Sequence, residues 1–376
     1  MKKIIPYLWI LIPFFLIGAI QKSPFYQGWN KVQASNTKID SNMVVYSLTS
    51  NDFQQLSKSN LTAQMKLIND SVDAVVFLKK YYELARTNAN STYAGFAISG
   101  YKAFPQNLKD DPSVQSIYAD ILSYAHDFDN AIALFKKLEN IAIYQQQSIL
   151  KMMNIYMLKG DYYGVEKQCD ATKSFADYRI SIACRLWLQG MQTDEINVTE
   201  YSLAKLTSIS KNTDKEQSID LWLHQLMLDL QLKAKLIQPA VVSLRDIYKT
   251  DEVDLSALIQ VVDNLILIER YKLASDLIEQ YDASAKLIVR RVILGEYLTD
   301  DKSLNVELAA ELIINYITIQ DTSKYREVAL WKFLIDHDPS QATFYAKESI
   351  KTYNTELDQS LLSYASSSSS GIRGGR

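Results

Sequence analysis

Histidine, cysteine, glycine and proline are all scarce in this chain, and each scarcity removes a class of function. Only three histidines occur in 376 residues, His126, His224 and His337, and they lie far apart. That argues against a dense histidine metal site. Each also has a structural place: His126 in a turn, His224 within an amphipathic helix, His337 between Asp336 and Asp338 in a capping sequence. No H-E-x-x-H, G-x-S-x-G or glycine-rich phosphate loop is present, so no zinc hydrolase, serine hydrolase or nucleotide cradle can be read from motifs. The paired acids at 127–129 and 300–301 lack the alternating donors, glycine and distal Glu of a calcium loop and read as helix caps. Between Pro239 and Pro339 there is one glycine and no proline, which argues against a fold with many tight turns and leaves helix. Neither sign of charge dominates: 40 Lys and Arg face 43 Asp and Glu, a formal net charge of -3. Nothing general therefore favours nucleic acid or an anionic surface as partner. The expectation is a chain with no catalytic, cofactor-binding or metal-ligating residues to name.

What is present begins at the N-terminus. Lys2 and Lys3 precede an uncharged apolar run from Ile4 to Ile20. As a helix this run would rise about 25 Å, between the apolar region of a cleaved signal peptide and a full hydrocarbon core of roughly 30 Å. It is expected to be a signal peptide or a retained anchor, retention being favoured. The leading lysines would stay cytoplasmic and the body would lie on the extracytoplasmic side. Cleavage after Ala19 or after Val32-Gln33-Ala34 would instead give a secreted protein. Residues 21–45 are polar and aperiodic and read as a linker.

The body shows a period. Residues 116–140 carry Ile117, Tyr118, Ile121 and Leu122 on one helix face, then Ala131, Leu134, Phe135 and Leu138 on another, with His126-Asp127-Phe128-Asp129 between them. At an offset of 34 residues the plan recurs: Gly160-Asp161-Tyr162 answers His126-Asp127-Phe128, Val165 answers Ala131, and Cys169 answers Phe135. Ala97 and Tyr101 extend it upstream to about residue 71. These residues resemble the tetratricopeptide repeat family, in the pattern of a small residue and an aromatic, a turn, then Ala and an aromatic four apart. The resemblance is clear over 112–176. The implied fold is all-α, an α-solenoid of antiparallel helix pairs, with tetratricopeptide-like repeats over 46–198 and irregular helical repeats over 199–363. Tyr271, Ala274 and Ile278 fit a further unit but stand out of phase with the first repeats. Helices are expected near 178–190, 199–210, 215–234, 237–249, 253–267, 270–280, 283–298, 303–318, 322–336 and 339–363. Caps at Thr213-Asp214, Asp300-Asp301 and Asp338-Pro339 open three of them. Residues 364–376, with five consecutive serines, are expected to be a disordered tail.

The 24 Tyr and 12 Phe are spread along the chain and suit helix packing better than one aromatic box. The family resemblance implies a concave groove lined by first helices, with Ser116, Asp120, Ser123 and Tyr124 from one unit and Leu150, Asn154, Met157 and Leu158 from the next. Family members that clamp a peptide carboxylate use Lys or Arg with Asn; Ser116 and Asp120 stand there instead, so that activity is not implied. The only cysteines, Cys169 and Cys184, fall on neighbouring helices and form either a disulfide or two buried thiols. The expected function is a membrane-anchored scaffold that binds a protein or peptide partner in an envelope or secretion assembly. The alternatives are a soluble exported carrier or chaperone-like binder, and an enzyme on a helical toroid, which would need a deep cavity with convergent acids and aromatics.

Overall fold

The computed structural model describes residues 68–88, 91–175, 177–211, 217–250, 255–281, 287–298 and 306–371. The leader at 4–20, the linker, the caps at 213–214 and 300–301 and the terminal Arg373 and Arg376 lie outside these. The described residues are all-helical, with no strand among them. Five helices occupy the first part of the array: α1 (Ser71–Asn88), α2 (Ser91–Ala103), the short α3 (Gln106–Lys109), α4 (Pro112–Tyr124) and α5 (Phe128–Leu138). They are followed by α6 (Ala142–Leu158), α7 (Tyr162–Ala171), α8 (Tyr178–Gln192), α9 (Ile196–Lys211), α10 (Gln217–Lys233) and α11 (Ile237–Thr250). The last seven are α12 (Leu255–Leu267), α13 (Tyr271–Tyr281), α14 (Ile288–Leu298), α15 (Val306–Thr318), α16 (Tyr325–Leu334), α17 (Pro339–Thr352) and α18 (Glu356–Gly371). Among the described residues no helix is long and apolar enough to cross a membrane.

Consecutive helices pack as pairs, and the reason is visible at their turns. His126, Gly160, Lys235, Glu269 and Gln320 each follow a helix with φ of 62°, 61°, 58°, 61° and 54°. At each, that residue's N–H donates to the carbonyl three back and the next N–H to the carbonyl five back. At His126 the acceptors are Ser123 (3.1 Å) and Leu122 (2.9 Å); at Lys235 they are Leu232 (3.0 Å) and Gln231 (2.8 Å). This double bond satisfies carbonyls that the helix end leaves open and turns the chain back along itself. Lys235 and Glu269 are themselves 34 residues apart. Ala240 and Ala274, each fully buried, repeat at the same interval. The second half therefore contains the 34-residue plan that the first half shows. It was hidden because Lys and Glu fill the left-handed position held by Gly160, and because the turns at Gly160 and Lys235 are not separated by a multiple of 34 residues.

The core runs along the array as three adjoining clusters. The first extends from Ala74 to Ile155, the second from Met153 to Leu230, and the third from Leu228 to Leu361. Tyr156 packs against both the first and the second. Such chaining is how stacked helix pairs bury faces that no single pair can bury alone. Cys169 on α7 and Cys184 on α8 are joined as a disulfide, with Cα atoms 5.6 Å apart. Alkylation of the denatured, unreduced protein should then leave its mass unchanged. Reduction should lower the unfolding midpoint, since closing a loop of this length stabilises by about 3 kcal/mol; mass addition without reductant would mean that free thiols are present.

The C-terminal segment differs from expectation in two ways. In place of one helix over 339–363, α17 stops at Thr352, Tyr353 is extended (φ -124°, ψ 120°), and α18 starts at Glu356. Asp338 opens α17 by accepting the Gln341 N–H at 3.0 Å, as its sequence suggests. Asp358 opens α18 by accepting from the Thr355 N–H (3.2 Å) and hydroxyl (2.5 Å). The T-x-x-D spacing of 355–358 is a relative of the capping box and was the available signal. Second, α18 continues to Gly371, through the serine run that composition assigns to a disordered tail. Leu357, Leu361 and Ala365 bury one face of this helix, and propagation from an anchored helix needs only one hydrogen bond per added residue.

The 353–355 loop docks on the N-terminal half. Asn354 donates its N–H to the Leu158 carbonyl at 2.9 Å. A Cβ on Gly160 would meet the Asn354 carbonyl oxygen at 2.7 Å, so a glycine is required there by closeness as well as by φ. The Tyr353 hydroxyl lies 2.8 Å from His126 Nδ1 in the α4–α5 turn.

Candidate binding cavity

Docking of this loop leaves a cavity of about 450 Å³ walled by the first helices of successive pairs. Four helices each contribute one stripe. From α6 come Asn154, Met157 and Leu158, from α8 Trp187 and Met191, from α10 Trp222, Gln225, Leu226 and Asp229, and from α12 Ser256, Gln260 and Asn264. Most of these residues recur at three or four, which keeps them toward one side of each helix. Arg290, Lys324, Arg326 and Glu327 line the opposite side, and Tyr353 to Leu357 border it. Gly190 helps α8 and α10 approach: a Cβ there would meet Leu230 Cδ2 at 2.7 Å.

The two sides differ in their electrostatics. On the α14–α16 side, every buried charge is matched. Arg290 donates to both Asp263 oxygens (2.6 and 2.8 Å) and to Glu327 Oε1 at 2.7 Å. Burial works against its guanidinium, but Asp263 and Glu327 outweigh that and hold it above its ordinary range. Glu327 is likewise disfavoured by burial and held low by Arg290 and then Lys324. Arg326 makes the same bidentate contact with Asp358, at 2.8 and 2.7 Å. His126 beside them stays neutral, its pKa pushed down to about 3 by burial and by the nearby Lys324 and Arg326.

On the α8–α10–α12 side stands one half-buried carboxylate, Asp229. It accepts from Trp187 Nε1 at 3.0 Å and from Gln260 Nε2 at 2.7 Å. Among the described residues no cation pairs with it. Burial raises its pKa to about 6 against the opposing pull of these two neutral donors. Tyr162 is raised by burial, then by Glu356 and Asp229, and its ring lies 6.3 Å from that of Trp187. Trp222 Nε1 is buried and donates to nothing among the described residues. The wall thus offers aromatic surface and an uncompensated negative charge.

Of the eight groove residues expected from sequence, Asn154, Met157 and Leu158 stand on this cavity wall. Ser116, Asp120, Ser123, Tyr124 and Leu150 are not among its lining residues. Asp120 pairs with Lys151 at 3.0 Å. The Tyr124 hydroxyl donates to the Ala85 carbonyl at 2.8 Å, and Leu150 packs against the middle core cluster. Sequence reading missed Trp187, Trp222, Asp229, Gln260 and Asn264. One signal was there: Asp229 interrupts the apolar stretch LMLDLQL, as Asp263 interrupts VVDNLILI and Arg290 with Arg291 interrupts LIVRRVIL, and a charge buried in such a stretch must find a partner or a function. Among the described residues no group of three or more His, Cys, Asp and Glu is placed to hold a metal. Comparison with family models, with curated proteins and with solved structures finds no match.

Proposed function

We propose that this protein is an extracytoplasmic, membrane-anchored scaffold with a tetratricopeptide-like body, which binds a protein or peptide partner in an envelope or secretion assembly. The observation that carries the reading is the cavity formed where the first helices of successive pairs converge. That is the face on which stacked helix pairs take extended segments. The anchor and the compartment rest on the leader sequence alone.

A photo-cross-linking residue placed at Met157, in the full-length protein in its native membrane, tests this. A defined adduct is expected from Met157 and none from Tyr163, which is 79% exposed on α7 and outside the cavity. Adducts equally abundant from both positions, or none from Met157, would overturn it. The partial closure of the cavity by the 353–355 loop favours one second reading, a soluble exported carrier. Intact mass would show the cleaved leader which that reading requires. A hydrolase on a helical toroid would need a second free carboxylate near Asp229; of the other two that line the cavity, Glu327 is engaged by Arg290 and Glu356 stands at the α18 border.

A further inference from the structure

Resting on that reading, we infer that the α8–α10–α12 side of the cavity is a receptor for a cationic side chain, a Lys or Arg of an extended partner segment, which pairs with Asp229. Three observations meet there. Asp229 is a carboxylate held by two neutral donors and, among the described residues, by no cation. A charge taken partly out of water without a counterion is unfavourable, and a bound ammonium or guanidinium restores what burial removed. The cations of the cavity do not serve it: Arg290 belongs to Asp263 and Glu327, Arg326 to Asp358, and Lys324 Nζ lies over the Tyr316 ring at 5.9 Å.

Aromatic residues stand beside the carboxylate: Trp187 in contact with it, Tyr162 against Trp187, and Trp222 two helical turns before it on α10. Rings of this kind receive the methylene stem of a long cationic side chain and attract its head. The cavity is lined from α6 through α12, well beyond the carboxylate itself, which is why the occupant is assigned to a peptide segment and not to a free amine.

The test uses the full-length protein in detergent and its tryptophan fluorescence. The probes are an end-blocked pentapeptide with a central lysine among alanines, the same peptide with norleucine in place of lysine, and n-butylamine. The lysine peptide is expected to bind about tenfold more tightly than the norleucine peptide, the worth of one charge-assisted contact. Butylamine should bind more weakly than the lysine peptide. Asp229→Asn should abolish the lysine preference while leaving norleucine binding in place. Equal binding of both peptides to the wild type overturns the inference and leaves the groove reading standing. Retention of the preference in Asp229→Asn also overturns it, as does butylamine binding as tightly as the lysine peptide. If neither peptide binds at millimolar concentration, this inference is overturned, and the Met157 cross-link decides the groove reading separately. The comparison of the two peptides on wild-type protein needs no variant, so a folding defect cannot mask the outcome.

Discussion

Arg290→Met is expected to destabilise the protein by about 3–5 kcal/mol, the loss that follows when one member of a buried ionic cluster is removed. The size comes from what is left behind. Asp263 is fully buried and Glu327 only 14% exposed, so removing the guanidinium strands one carboxylate in the core and a second at its edge. The cluster also ties α12, on one side of the cavity, to α14 and α16 on the other. Replacing all three, as Asp263→Leu, Arg290→Met and Glu327→Leu together, should recover most of the loss, because apolar residues of similar volume substitute for a buried ionic group at little cost. Urea unfolding of the single and triple variants measures both. A single variant within about 1 kcal/mol of wild type would mean that water reaches the cluster and screens it.

Asp229→Asn is expected to act in the opposite direction, and only above about pH 4. The folded state raises this carboxyl from its ordinary 3.8 to about 6, so between these values the folded protein binds the proton more tightly than the unfolded chain. Stability from this group therefore falls as pH rises through that window. The penalty is absent below about pH 4 and complete above about pH 6, where the gap between the folded and unfolded pKa values corresponds to about 3 kcal/mol. The asparagine variant should be more stable than wild type by up to about that amount at pH 8 and indistinguishable from it at pH 3.5. Unfolding midpoints in urea at the two pH values give the answer. A variant that is less stable at pH 8 would show that the carboxylate already has a favourable partner, and the cation-receptor inference would lose its physical basis. If the stabilisation is seen, Asp229 is a residue whose charge is maintained at the expense of stability, the usual mark of a binding group.

The variants probe the two sides of one cavity, and the contrast between those sides was only partly legible in the sequence. The helical class followed from the near absence of glycine and proline and from apolar residues recurring at three and four. The 34-residue spacing from His126 to Gly160 located a turn that the structure reproduces down to its hydrogen bonds. The equivalent spacing from Lys235 to Glu269 was not legible, because a left-handed residue that is not glycine leaves no compositional trace. The same holds for the break at Tyr353. Its T-x-x-D signal is local, but the break matters because Asp358 must also reach Arg326, 32 residues earlier.

The sequence by itself determined that this chain is built of paired helices, where the first turns fall, and that Cys169 and Cys184 lie on adjoining helices. These are properties of near neighbours, set by backbone sterics, hydrogen bonding within a turn and the period of a buried face. The tertiary structure alone decided which faces of α6, α8, α10 and α12 converge, that the 353–355 loop folds back onto the turns at 126 and 158–160, and that Arg290 is matched while Asp229 is not. Those outcomes depend on the small rotation between successive helix pairs, summed along the array. No local pattern of residues encodes that sum.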